Sequence, residues 1–239
     1  MKKLLNIIKT RIKLWRYEKY ILKKLSFHEA GHLVFSYLFN IPCGYILIDY
    51  SKVNGVQLVN DNLIVEYESN SQVENLLPQQ MESILNNSRP GINVVAGNHA
   101  LSIDECWNIV KQYLIILLAG YESQNKFSAE FYNISLEAFQ QVFSQNLTRL
   151  NPNEDTNRMR ILLNNLTTDN NIKVQLENQT VNTITHYLQQ QEVIAAIKAI
   201  SKKVLKNKRV DRVEIEKTLN YIGFINYANN ERASLLNQL

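Results

Sequence analysis

Residues 26–38 read Ser26-Phe27-His28-Glu29-Ala30-Gly31-His32-Leu33-Val34-Phe35-Ser36-Tyr37-Leu38, and inside this apolar run lies the pattern H-E-x-x-H. On a helix, residues four apart share a face, so His28 and His32 can aim imidazole nitrogens at one ion. Zinc accepts neutral imidazole at about 2.0–2.1 Å, and two such ligands leave two tetrahedral positions open. Glu29 stands one step, about 100°, round the same helix. From there a carboxylate reaches a water on the metal and accepts its proton, the general-base role in a zinc hydrolase. The chain has only 4 His in 239 residues, which makes a chance occurrence rare. Ala30 and Gly31 leave room for substrate or backbone to approach the ligands; a helix-interior Gly costs about 1 kcal/mol against Ala, and a packing or functional reason offsets it.

Composition sets the frame around this stretch. At 239 residues the chain can bury a substantial core. Apolar content of 45% and charged content of 20% are those of a globular protein. Only 7 Gly and 4 Pro argue for a mostly helical architecture over a loop-rich sandwich. Cys43 and Cys106 form neither a CxxC nor a disulfide framework, so free thiols and a cytoplasmic location are expected. The most apolar piece, residues 113–120 (YLIILLAG), falls short of the roughly 20 residues a bilayer requires.

Residues 1–24 are the main concentration of positive charge, with Leu4, Leu5, Ile8, Leu14, Trp15 and Ile21 at loosely helical spacing between basic residues. Lys9, Arg11, Lys13 and Arg16 interrupt each apolar run, so a secretory signal is not expected here. The segment reads as a basic amphipathic helix that packs its stripe on the domain, rests at the periphery of an anionic membrane or binds a partner. A net charge of +4 concentrated there does not indicate nucleic acid.

Further along, the metal-site helix is expected to start before Ser26 and to stop at Asn40-Ile41-Pro42. Short β-like runs follow at residues 44–50, 55–59 and 62–67, a hairpin or meander. Residues 73–85 read as helix, 89–91 as a turn, and His99 as a packing or surface residue. Helices are expected at 104–119, 128–150, 156–166, 173–188, 191–206 and 212–222. The fold class is therefore mainly α (α+β), with a zincin-like active-site helix, a small hairpin or meander and a C-terminal helical bundle. The division is a basic helix at 1–24, a domain at 25–222 that carries the H-E-x-x-H helix, and a tail at 223–239.

The run SFHEAGHLVFSYL resembles the active-site helix of the FtsH-type membrane AAA proteases. Two further segments fall in the order of that family. Residues 115–120 (IILLAG) are similar to its apolar helix ending in a Gly-Gly-Arg segment, and residues 154–163 (EDTNRMRILL) to its later helix opened by an Asn-Asp pair. The resemblance implies Asp155 as third zinc ligand, and a carboxylate oxygen suits zinc beside two imidazoles. An Asp in the first turn of a helix is equally suited to capping it, and Glu122, Glu105, Asp104 and Glu154 are rival carboxylates.

The departures from the family are equally specific. No G-x-x-x-x-G-K-[ST] occurs, so ATP-driven unfolding is not expected from this polypeptide. The adjacent glutamates of the family's Gly-Gly-Arg-Ala-Ala-Glu-Glu segment are absent from residues 119–125, leaving Glu122 as the possible outer support for the histidines. The resemblance implies a zinc endopeptidase without its own ATPase, with zinc on His28, His32 and Asp155 and Glu29 as base. It would cut flexible or unfolded polypeptide, alone or fed by a separate ATPase, in an oligomeric state the sequence leaves open. Two other readings stand beside it: a non-proteolytic zinc-binding interaction module, and a regulatory zincin with a glutamate as third ligand.

Overall fold

The computed structural model describes residues 2–41, 43–48, 56–59, 62–65, 71–75, 95–96, 99–100, 103–133, 155, 159–160, 162–164 and 167–237. Helix α1 (Lys2–Leu38) runs unbroken from the basic segment through the H-E-x-x-H stretch. Strands β1 (Cys43–Ile48), β2 (Val56–Val59), β3 (Asn62–Val65), β4 (Ser71–Asn75), β5 (Val95–Ala96) and β6 (His99–Ala100) follow. Then come α2 (Ile103–Tyr132), α3 (Asn170–Tyr187), α4 (Gln191–Asn207), β7 (Arg209–Asp211), α5 (Arg212–Tyr221) and α6 (Phe224–Asn237). Residues 155, 159–160 and 162–164 are also helical. The mainly helical class expected from the sequence holds among the described residues, none of whose helices is long and apolar enough to cross a membrane.

The second half of α1 is the hub. Residues 26–39 are all buried, the signature of a helix covered on every side. α2, α4, α6, β1 and β4 all pack on α1. The helix stops where the sequence indicated. Asn40 takes a left-handed φ of 61°, which Asn tolerates better than most side chains. Ile41 N–H then donates to Ser36 O at 2.8 Å and Asn40 N–H to Tyr37 O at 3.1 Å, closing the last carbonyls in a Schellman pattern. A buried hydrogen bond of 2.6 Å between the Ser26 and Ser201 hydroxyls ties the hub to α4.

α2 lies antiparallel along α1. Tyr20 meets Phe131 and Tyr132 at ring-centroid distances of 4.8 and 6.2 Å, and Phe27 stacks on Phe127 at 4.6 Å. Farther along α1 the two backbones come very close. A Cβ added to Gly31 would lie 2.5 Å from Ser123 Oγ and 2.6 Å from the Ala119 carbonyl oxygen. The room that Gly31 makes is therefore filled by the backbone of α2, a packing reason for a helix-interior glycine.

The β segments form small antiparallel units. β2 and β3 pair antiparallel, with Val59 opposite Asn62. β1 is the middle strand of a sheet ordered β4-β1-β7. Its partner β7, which has no counterpart in the sequence reading, places Val210 opposite Ile46, both buried. Cys43 is a free thiol; burial pushes it up to about 12, against the lowering effect of a Ser36 hydrogen bond and of Arg212. That makes it inert near neutral pH, a packing residue.

Several expectations need correction. Residues 73–75 belong to β4, where the pairing of Ile46 with Val73 overrides the helical pattern; residues 76–85 lie outside those described. The helix expected over 104–119 extends to Tyr132. No separate helix starts at 128: residues 128–132 are the end of α2, which closes at Asn133 with a left-handed φ of 54°, and residues 134–150 lie outside those described. The segment set apart as a tail, 223–239, is helical from Phe224 to Asn237 and buries Phe224, Ala228 and Leu235, so it belongs to the core.

The α1–α2 contact at Gly31 generates a prediction. Gly31→Ala removes a helix-interior glycine, yet the added methyl has to displace backbone. The variant is expected to lose about 1–3 kcal/mol in chemical denaturation. A gain in stability would show that the helices lie farther apart than described.

Candidate metal centre

His28 and His32 lie one turn apart on α1 with their rings edge-on, centroids 4.6 Å apart at 88°. Their Nε2 atoms face each other at 3.0 Å. Asp155 Oδ2 completes a triangle, 2.9 Å from His28 Nε2 and 3.3 Å from His32 Nε2. Three donors held by a tetrahedral zinc at about 2.0–2.1 Å stand about 3.3 Å from one another. The donor set and its spacing therefore fit such an ion. Among the described residues these are the His, Cys, Asp or Glu side chains in a group of three whose ligand atoms lie within 4.8 Å of one another.

The local sequence explains how each ligand arrives. The histidines come from the hub helix, where the surrounding apolar residues bury both, leaving 8% and 7% exposed. Asp155 heads a helical face continued by Met159, Leu162 and Leu163, which are four, seven and eight positions on and all buried. Burying that stripe delivers the carboxylate to the histidines across 127 residues of sequence.

The orientation of His32 is set from α2. Its Nδ1 lies 2.7 Å from the Ile116 carbonyl oxygen. A carbonyl only accepts, so Nδ1–H donates and Nε2 is the ring atom that faces the triangle. His28 has no such partner among the described residues: its Nδ1 is buried and unpaired.

The electrostatics favour a cation. Burial lowers the proton affinity of His32, but hydrogen bonding to Asp155, the charges of Asp155 and Glu29, and the Ile116 carbonyl outweigh it and push its pKa up to about 9. Burial raises Asp155, but hydrogen bonds and charge from His28 and His32 hold its carboxyl far below the usual range. A field that retains a proton on imidazole also draws in a divalent ion, which must displace that proton.

Glu29 is buried at 4% exposure beside the ligands, and its charge is felt at His32. Glu122 is buried on α2 at 5%, but it is not one of the three clustered ligands, and the Nδ1 of His32 is engaged by Ile116. The outer support proposed for Glu122 is thus met at His32 by a backbone carbonyl, which side-chain motifs cannot reveal. Of the rival carboxylates, Asp104, Glu105 and Glu154 have side chains outside those described.

No family model matches this chain, and no curated protein matches it.

Metal analysis separates the possible third ligands. Protein purified without chelator is expected to carry one equivalent of divalent metal, Asp155→Ala to lose most of it, and Glu122→Ala to retain it. Full occupancy in Asp155→Ala would remove that residue from the ligand set.

Proposed function

We propose that this protein is a zinc-dependent metalloendopeptidase, related in its site to the FtsH-type peptidases, which hydrolyses flexible or already unfolded polypeptide. One observation carries this reading: two imidazoles a helical turn apart and a carboxylate from a distant helix converge at 2.9–3.3 Å, with buried Glu29 next to them. The residues of that triangle would hold the ion. A zinc ion bound there supplies a Lewis acid for the scissile carbonyl and a source of nucleophilic water at neutral pH.

The protein's own part is positioning and proton transfer. Ile116 fixes the tautomer of His32, and the buried stripe behind Asp155 fixes the third donor. Glu29 takes the proton from the attacking water at a carboxylate oxygen and returns it to the departing amine, which leaves as a neutral group. The resemblance of residues 26–38 to the FtsH-type helix supports peptide as the substrate, since other zinc hydrolases share the bare H-E-x-x-H pattern.

Glu29→Gln keeps the shape of the side chain and removes its basicity. The variant is expected to bind zinc like the parent and to cleave a casein-like substrate about 10²–10⁴-fold more slowly. Undiminished cleavage by zinc-loaded Glu29→Gln would overturn the mechanism. A parent protein that carries zinc and yields no fragments from a mixed unfolded substrate by mass spectrometry would favour a binding module instead.

A further inference from the structure

The His32 imidazole rests on a single turn of α2. At one end of that turn the Ile116 carbonyl accepts from Nδ1 at 2.7 Å. Four residues on, at the other end, Gly120 offers bare backbone to the ring. A Cβ built there would overlap His32 Nε2, and it would lie 2.5 Å from Cε1 and 2.8 Å from Cδ2. Residues four apart share a helix face, so acceptor and clearance belong to one surface. Gly120 lies deep inside a 30-residue helix, where glycine is unfavourable relative to alanine.

The other glycine at this crossing provides a contrast. A Cβ on Gly31 would meet Ser123 and the Ala119 carbonyl, parts of α2 itself, whereas the three nearest atoms to a Cβ on Gly120 all belong to a metal-ligand candidate. Gly31 thus allows the helices to approach, and Gly120 allows one particular ring to lie flush between them. A methyl at Gly120 would push the imidazole away from Ile116 and carry Nε2 out of the triangle with His28 and Asp155.

We propose that the turn of α2 from Ile116 to Gly120 is a seat that orients His32 as a metal ligand, with Gly120 as its positioning residue. The proposal rests on the metal-centre reading given above. It makes α2 part of the site without contributing a ligand atom, and it assigns the two histidines unequal roles. His32 is held at its Nδ1 edge by Ile116 and over its face by Gly120, while the Nδ1 of His28 has no hydrogen-bond partner among the described residues.

The test is a double-mutant cycle with two readouts, zinc affinity by competition with a chromogenic chelator and thermal melting of the metal-free proteins. Gly120→Ala is expected to bind zinc about 10–100-fold more weakly, the usual effect of removing support behind a metal ligand. It should also melt below the parent. Once His32→Ala removes the ring, the same Gly120→Ala change no longer meets the three atoms nearest its methyl, and helix propensity then dominates. His32→Ala/Gly120→Ala is accordingly expected to melt at or above His32→Ala. Should Gly120→Ala alone fail to fold, those two proteins still decide the question.

Parent-like zinc affinity in Gly120→Ala would overturn the proposal. So would an equal drop in melting temperature from Gly120→Ala with and without the His32 ring, since that is the behaviour of a glycine needed only for helix packing. A parent protein that binds no zinc would overturn the metal-centre reading together with this inference. A zinc-binding parent with an insensitive Gly120→Ala overturns the seat alone.

Discussion

The close approach of α1 and α2 is the constraint on which the site depends. Two helices packed through ordinary side chains keep their axes 8–10 Å apart, roughly, and a histidine on one does not normally reach a main-chain carbonyl of the other. Here Gly31 lets Ala119 and Ser123 come against the backbone of α1, and the reach of His32 to Ile116 O follows from that proximity. The imidazole is then sandwiched, with its Nδ1 edge hydrogen-bonded and its Nε2 edge directed at His28 and Asp155. Loss of either glycine would separate the helices or displace the ring. The site therefore depends on two residues that contribute no side chain to it.

Burying two imidazoles and a carboxylate against one another is expensive unless something positive joins them. Without a proton between them, two Nε2 atoms facing at 3.0 Å would repel, and the Asp155 carboxylate adds negative charge to the same small volume. A proton on His32 relieves part of this, as the opposed shifts of His32 and Asp155 show. A divalent cation relieves more of it, because it engages all three lone pairs at once. The arrangement has the character of a preorganised cation trap, and the apolar residues around residues 26–39 keep water from screening it.

The strongest sequence signals were those carried by covalent neighbours. H-E-x-x-H needs only helical periodicity to place His28, Glu29 and His32, and α1 supplies it over its whole length. The β2–β3 pairing and the stop at Asn40 join close sequence neighbours, and both are legible in the sequence. The pattern of residues 73–75 suits a helix until β1 offers a partner strand. β7 is three residues long, too short to carry a pattern, and exists because β1 has a free edge to pair. α6 is rich in Asn and polar residues, yet a few buried positions suffice to dock it.

The order of residues alone determined a helix able to present two imidazoles and a carboxylate, because that depends on spacing within one turn. It also supplied Asp155, through resemblance, as the candidate third donor. Tertiary structure decided that Asp155 Oδ2 stands 2.9 Å from His28 Nε2, which requires a buried stripe to cross 127 residues of chain. It likewise decided that Ile116 and Gly120 cradle His32. A carbonyl every residue possesses and a glycine's missing methyl leave no chemical mark in a sequence; only the packing of one helix against another gives them a role.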